Sequence, residues 1–341
     1  MSAIFDPREL VAALKAAAEP TRLRILALLA AGELNVKDLT LVLGQSQPRI
    51  SRHLKLLNEA GLIDRFREGS WVYFHVADGT PGGDLTRRLL ATMHDGDSVF
   101  MRDRERAEIL KREREAAAQS FFEAHAADWD SIRTHHIAEA AVEQAMRELL
   151  GLGPFELFLD LGTGTGRILE LFADRYTQGL GIDLNQTMLA YARSKLSRAG
   201  LDKTQVRHGD IYNLSLADGA ADAVVMHQVL HFLSDPARSI AEAARVLAPG
   251  GRLLIADFAP HDIEELRERF AHERLGFATT QIEDWMRAAG LEPGAHRTLS
   301  PPAGDTRPGL TVSIWLAEKS NSKKSERARQ PARRKLQEAE G

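Results

Sequence analysis

FELFLDLGTGTGR, residues Phe155 to Arg167, decides how the larger part of this chain is read. It begins as a short apolar run, turns through glycines at 162, 164 and 166, and leads into the helical pattern ILELFADRY. Glycine has no Cβ, so such a turn can close tightly and let a backbone approach a small molecule. Asp160, at the end of the run, suits holding the turn or accepting from an ammonium group. A GxGxG turn alone is ambiguous, because tight strand-to-helix turns, NAD sites and nucleoside sites all use it. The NAD fingerprint prefers GxGxxG.

The neighbours narrow the reading. GLGID ends in Asp183, about twenty residues beyond the glycines, where a carboxylate can accept both ribose hydroxyls. QVRHGD ends in Asp210, followed by Ile211. A carboxylate there suits an adenine amino group, and the Ile211 N–H suits a ring nitrogen. ADAVVMHQVLHFL, the helical ARSIAEAARVL and PGGRLLIADFAP follow, and LEPGAHRTLS with LTVSIWLAEK predicts a terminal antiparallel pair. From about 121 to 318, strands alternating with helices predict a parallel sheet wrapped by helices.

A length of 341 residues suits two domains better than one core. A hydrophobic share of 44% with 27% charged residues is that of a globular chain. No apolar run approaches the ~20 residues of a membrane helix, and MSAIFDPREL lacks a basic start before an apolar core, so no signal peptide is expected. The absence of cysteine excludes disulfides, thiolate zinc sites and cysteine nucleophiles, which fits a cytoplasmic protein. With a net charge of −4, contact with nucleic acid has to come from a local basic face.

Four regions separate by texture: 1–79, which ends at the glycine and proline break ADGTPGGD; a helical dimerisation or linker segment, 80–120; the strand and helix alternation, 121–318; and a basic tail, 319–341, expected to be disordered. Residues 84 to about 128 look helical throughout, with Leu85, Leu89, Leu90 and Met93 as an apolar stripe.

In the first region Pro20 to Leu29 predicts a helix with one apolar face, and Asn35 to Val42 a second, closed by Gly44. Ser46 is placed as N-cap of a third, Gln47 to Ala60, with Pro48 in its first turn and Gly61 ending it. On that helix Ile50, Leu54 and Leu57 share the core face. Gln47, Arg49, Ser51, Arg52 and Lys55 fall elsewhere, and are side chains suited to base edges and phosphates or to a merely solvated face. LIDRF and WVYFHV, flanking Arg67-Glu68-Gly69-Ser70, predict a hairpin, or wing.

The stretch EPTRLRILALL…ELNVKDL…SQPRISRHLKLLNEAGLI…REGSWVYF resembles the ArsR/SmtB family of winged-helix repressors. The resemblance implies a homodimer reading double-stranded operator DNA, with the 46–58 helix in the major groove and the wing beside the backbone. Ser46, Gln47, Arg49, Ser51, Arg52, Lys55 and Arg67 are the candidate DNA contacts. Where arsenic- and cadmium-sensing members carry cysteines, ELNVKDL holds Asn35 and Lys37, which supply no thiolate to a soft metal. No metal is expected, and the signal has to enter elsewhere.

DLGTGTG, GIDLNQTML, HGDI and LAPGGRLLIADF resemble the class I S-adenosylmethionine-dependent methyltransferases, closest to the ubiquinone/menaquinone-methyltransferase-like branch. The expected fold is α/β and multidomain: an N-terminal winged helix-turn-helix, a helical linker and a C-terminal Rossmann-like class I methyltransferase sheet. Carried over, Gly162 and Gly164 line the methionine part of S-adenosylmethionine or S-adenosylhomocysteine, Asp183 takes the ribose, Asp210 and Ile211 take the adenine, and His227 lies near the sulfur. Asp160, Thr163, Gly166 and Leu184 complete the candidate set, with Met188 either against the adenine or in the core.

Other constellations have two readings. His227 and His231 have the spacing of a zinc helix, but Gln228 stands where the glutamate base belongs. His125, His135 and His136 read as ligands or as ordinary surface or cap histidines; Trp129 reads as a lid over the cofactor or as an anchor for the linker helix. No NPPY-like motif marks adenine N6 methylation, and no catalytic residue is assigned. The pairing of domains resembles regulators of methionine-cycle genes, which implies a repressor sensing the cofactor or its product. The alternative is a small-molecule methyltransferase that controls its own expression.

Overall fold

A computed structural model describes residues 5–68, 70–77, 79–94, 96–126, 129, 139–301 and 309–321. The chain divides into two compact units, Met1–Ala117 with Asp262–Glu264, and Ala118–His261 with Glu265–Gly341.

The first unit opens on a helix the sequence reading passed over, α1 (Pro7–Ala17). Its signal is local: the Asp6 carboxylate accepts from the Arg8 amide, and Glu9 accepts from the Asp6 amide, a capping box. Then come α2 (Pro20–Ala30), β1 (Leu34–Asn35), α3 (Val36–Leu43), α4 (Gln47–Glu59), β2 (Ile63–Glu68) and β3 (Trp71–Val76). The strands form a sheet in the order β1-β3-β2. Gly44 ends α3 at φ 63, a left-handed conformation that suits glycine. Ser46 does stand at the N-cap of α4, but its hydroxyl makes no capping hydrogen bond, contrary to expectation. Pro48 removes one of the two amides it could have served, and the Arg49 amide donates to the Ser46 carbonyl instead.

Ile50, Leu54 and Leu57 from α4 join Ile25, Leu26, Leu29, Leu39 and Val42 in the core of this unit, as their spacing predicts. The segment expected to be helical throughout from residue 84 is interrupted. α5 (Pro81–Ala91) stops at Thr92, and α6 (Ser98–His125) starts afresh, because the Asp97 carboxylate accepts from the Val99 and Phe100 amides. Leu85, Leu89 and Leu90 of the predicted stripe pack against the core, whereas Met93 falls beyond the end of α5 and is not among the residues of that cluster.

The second unit contains α7 (Glu139–Leu150), β4 (Phe155–Leu161), α8 (Arg167–Leu171), β5 (Tyr176–Asp183), α9 (Gln186–Arg198), β6 (Thr204–His208) and β7 (Ala221–His227). A single 3-10 turn at Leu230–Phe232 precedes α10 (Pro236–Val246), β8 (Leu247–Phe258), α11 (Glu265–Phe270), α12 (Thr279–Ala288), β9 (Leu291–Leu299) and β10 (Val312–Lys319). Seven strands form one sheet in the order β6-β5-β4-β7-β8-β10-β9. The first five run parallel, and β10 is antiparallel to both neighbours, as the closing pair predicts. The central strands are buried on both faces, which is why they read as apolar runs rather than as alternation. The sequence splits to either side of β4, so the crevice at the carboxyl ends of β4, β5 and β7 is where such a sheet binds ligands.

Two expectations fail at their boundaries. The helix predicted over ILELFADRY ends at Leu171, because Phe172 turns in to pack on Phe158 and the Arg175 carbonyl already accepts from Phe155 of β4. Lys319, assigned to the tail, is the last residue of β10, and its ammonium donates to the carbonyls of Ala244, Arg245 and Leu247. Residues 322–341 lie outside the described residues. No helix among the described residues is long and apolar enough to cross a membrane.

Candidate functional site

The glycine loop leaves β4 through a buried clasp. The Thr163 hydroxyl donates to Asp160 Oδ2 at 2.6 Å, so Asp160 holds the turn, one of the two roles its position allowed. The Gly162 and Thr163 amides donate to the Ile182 carbonyl of β5. The three glycines then differ in purpose, although all have positive φ. A Cβ on Gly162 would lie 2.4 Å from Val229 Cγ2, and one on Gly166 would lie 3.2 Å from Leu196 Cδ1, so these two make room for protein. Among the described residues, a Cβ on Gly164 meets only Trp129, at 3.7 Å from Nε1 and 4.0 Å from Cδ1. Gly164 is the member of the loop that leaves space for something else.

Asp183 closes β5 beside that space. Its Oδ2 accepts from the Gly164 amide and its Oδ1 from the Asn185 amide, each at 2.8 Å. Burial pushes its carboxyl above the usual range, partly offset by these amides. Asn185, which the sequence reading did not single out, caps α9 by accepting from the Met188 amide, and its own amide reaches Gln119. Asp210 is half-buried and accepts from the Tyr212 amide, and Ile211 is buried beside it. Leu184 is 38% exposed, unusual for a leucine at the head of a sheet, whereas Met188 is buried. His227 ends β7 and is buried.

The fold therefore brings Asp160, Gly162, Thr163, Gly164, Gly166, Asp183, Leu184, Asp210, Ile211 and His227 to the carboxyl ends of four adjacent parallel strands. Met188 lies one helical turn further on. The arrangement fits a nucleoside. A backbone gap opens at Gly164, a carboxylate capable of taking ribose hydroxyls stands next to it, and a second carboxylate stands one strand further out.

Trp129 sits on this site. Its ring is 5.2 Å from Phe122 and 6.1 Å from Phe232, with Nε1 nearest the Gly164 gap. His125 is a helix-end histidine: Nδ1 lies 2.8 Å from the Phe121 carbonyl. His135 and His136 lie outside the described residues. His231 is engaged with Asp257, and no group of metal-ligating side chains occurs among the described residues.

In the first unit Ser46, Gln47, Arg49, Ser51, Arg52 and Lys55 are all exposed on α4, opposite its buried face, and Arg67 is exposed on the wing strand β2. Lys55 reaches Glu59 at 3.7 Å, a surface pair of small consequence. Asn35 is the N-cap of α3 and accepts from the Asp38 amide, while Lys37 is exposed.

Residues 19–65 match the model of the bacterial regulatory protein ArsR family, and residues 159–255 match a methyltransferase domain. A Streptomyces fradiae protein described as an uncharacterized 37.1 kDa protein in transposon TN4556 is 35% identical over 44% of this chain and 46% of its own length. The chain thus spans about half of that curated relative. The demethylmenaquinone methyltransferase of Tropheryma whipplei (strain Twist) is 32% identical over 48% of this chain and 73% of its own. A chain from the Haloferax volcanii complex of the Trm112 methyltransferase activator shares the fold, with a TM-score of 0.50 at 22% identity, over 58% of this chain and 97% of that one. With this sheet order, this loop and these matches, the chain belongs to the class I S-adenosylmethionine-dependent methyltransferases and carries, ahead of that domain, an ArsR-family helix-turn-helix.

Proposed function

We propose that this protein is a homodimeric transcriptional repressor whose methyltransferase domain takes S-adenosylmethionine or S-adenosylhomocysteine as effector, and that it controls methionine-cycle genes. The observation that supports this is the exposed basic face of α4 in a chain whose Asp183 carboxylate also fastens the Gly164 loop, where a ribose would lie. Asp183 is the ribose acceptor, Gly164 the point of backbone approach, and Asp210 with the Ile211 amide the adenine contact. Trp129 covers the loop. S-adenosylhomocysteine is the favoured signal, because it lacks the methyl group and the positive charge that His227 would face at sulfur. A ligand changes DNA affinity only by the difference between its affinities for two arrangements of the protein, and a 100-fold effect corresponds to about 2.7 kcal/mol.

The test is operator affinity titrated with each ligand, on wild type and on Gly164→Val. The variant is expected to bind DNA normally and to ignore both ligands. If neither ligand changes the wild-type affinity, the effector reading is wrong. A second reading, a working small-molecule methyltransferase with an autoregulatory DNA-binding domain, is favoured by the His231–Asp257 pair.

A further inference from the structure

The carboxyl ends of β7 and β8 hold polar groups for which the nucleoside has no use. Gln228 follows β7 at φ 51, a left-handed conformation that is strained for a residue with a Cβ. Strain of that kind collects where a site needs it. Gln228 is only 8% exposed, yet its carboxamide makes no hydrogen bond with any described residue, although its backbone amide donates to the Ala256 carbonyl. Three residues on, His231 is 2% exposed with Nδ1 2.7 Å from Asp257 Oδ1. Asp257 also accepts from the Leu230 and Phe258 amides, so its position is fixed.

A carboxylate accepts, so the Nδ1 of His231 carries the proton and Nε2 is left as the basic nitrogen. Nε2 makes no hydrogen bond with a described residue. The imidazole lies among aromatic rings, with centroids at 4.0 Å from Phe232, 4.2 Å from His272 and 4.7 Å from Phe258. Phe232 in turn meets Phe122 at 4.7 Å and Trp129 at 6.1 Å, the ring that lies over Gly164.

We infer that this is a methyl-acceptor site for an aromatic hydroxyl compound, with His231 as general base, Asp257 as its positioning residue and Gln228 as the polar contact to the acceptor. The inference goes beyond the effector reading and needs only that S-adenosylmethionine bind at the loop. His231 Nε2 takes the hydroxyl proton while the acceptor oxygen uses its electron pair to form the new O–C bond. When bound, S-adenosylmethionine supplies the methyl group, its S–C bond breaking with the electron pair left on sulfur. The imidazolium is held by Asp257 and then gives its proton to water. A carboxylate acceptor has no need of a base and is repelled by Asp257, and a neutral amine attacks without prior deprotonation. A phenol is the acceptor class for which an oriented imidazole is the matching base.

The probes are 4-nitrophenol, catechol and 2-naphthol, each against its methyl ether. Binding is read by saturation-transfer NMR with S-adenosylhomocysteine present, phenol ionisation by the absorbance of bound 4-nitrophenol, and transfer by mass spectrometry with S-adenosylmethionine. We expect wild type to bind phenols at least about 10-fold tighter than their ethers and Gln228→Ala to lose that preference. His231→Asn keeps a donor toward Asp257 but has no basic nitrogen. It is expected to fold, shown by an unchanged calorimetric Kd for S-adenosylhomocysteine, to keep phenol binding, to leave bound 4-nitrophenol un-ionised, and to lose transfer by about 100-fold or more. The inference is overturned if no phenol binds wild type, if ethers bind equally well, or if His231→Asn ionises and methylates phenols like wild type. Calorimetry with S-adenosylhomocysteine checks the loop independently of all three outcomes.

Discussion

The Gly164 amide donates to Asp183 Oδ2 at 2.8 Å, so the apex of the glycine loop is fastened to the end of the adjacent strand by the same carboxylate proposed to take the ribose. Asp183→Ala therefore removes both a ligand contact and a loop anchor. The expected loss is about 1.5–3 kcal/mol, a rise of roughly 10- to 150-fold in the calorimetric Kd for S-adenosylhomocysteine. Asp183→Asn keeps one of its two acceptors for the backbone amides and should fall between the two. Unchanged affinity in Asp183→Ala removes the ribose assignment.

The direction of the Asp183 shift gives opposite pH signs for binding and folding. Burial raises its carboxyl, so on acidification it takes up a proton earlier than an ordinary aspartate. Ligand affinity should then weaken as pH falls through that raised value, because a neutral carboxyl is a poorer acceptor. The folded state binds the proton more tightly than the unfolded chain does, so this group's contribution to stability rises over the same window. Calorimetric Kd and Tm measured from neutral pH downwards should show the two trends diverging, and Asp183→Asn should lose this component of both.

Gly162 and Gly164 share a left-handed backbone but face different things, and alanine should separate them. Each substitution carries the strain of positive φ, about 1–2 kcal/mol. At Gly162 the new methyl also overlaps Val229 at 2.4 Å, whereas at Gly164 it reaches ordinary contact with Trp129. Gly162→Ala should lower Tm more than Gly164→Ala does, and Gly164→Ala should lose more ligand affinity than its Tm change accounts for. Equal Tm losses would mean that the Val229 contact relaxes freely.

The strands themselves, the loop and the carboxylates at or just beyond the ends of β5 and β6 were legible because each signal is local, a run of apolar residues ending in Gly or Asp. The buried face of α4 was legible from its 3.6-residue period. What escaped needed three dimensions. His231 and Asp257 are 26 residues apart and meet only because β7 and β8 are adjacent and parallel. In the sequence His231 shows only a His–x3–His spacing with His227, with Gln228 where a zinc helix has its glutamate, and nothing there points to Asp257. Gln228 reads as an ordinary polar residue until its positive φ is seen. The break between α5 and α6 was carried by one capping residue, Asp97, inside a strongly helical composition.

Asp38 is fully buried on α3, and Arg114 of α6 pairs with it. Removing Arg114 leaves the buried Asp38 carboxylate with the Asn35 amide but without a countercharge, and breaking a wholly buried pair costs about 3–5 kcal/mol. Arg114 is partly exposed, so the low end applies. Arg114→Ala should lower the stability of the helix-turn-helix unit by about 3 kcal/mol, read by denaturant unfolding. Arg114→Lys should recover part of it, since a point charge remains but the second nitrogen does not. A change below about 1 kcal/mol would class this pair with ordinary surface bridges.

Arg49 and Arg52 are exposed on α4, while the helix is held by Ile50, Leu54 and Leu57 on its other face. Truncating either arginine should leave the fold alone, with Tm within about 3 °C of wild type, since surface changes away from packing stay within ±0.5 kcal/mol. Operator binding should weaken by about 1–3 kcal/mol in each case. The salt dependence separates their roles. An arginine on a phosphate contributes close to one unit to the slope of log K against log salt, and its loss weakens all sequences alike. An arginine on a base edge leaves much of the slope in place and relaxes preference at one position of the site. Fluorescence anisotropy with operator and scrambled DNA over a salt series distinguishes the two for each residue. If both variants bind operator as wild type does, α4 is not the reading helix and the proposed repressor loses its DNA interface.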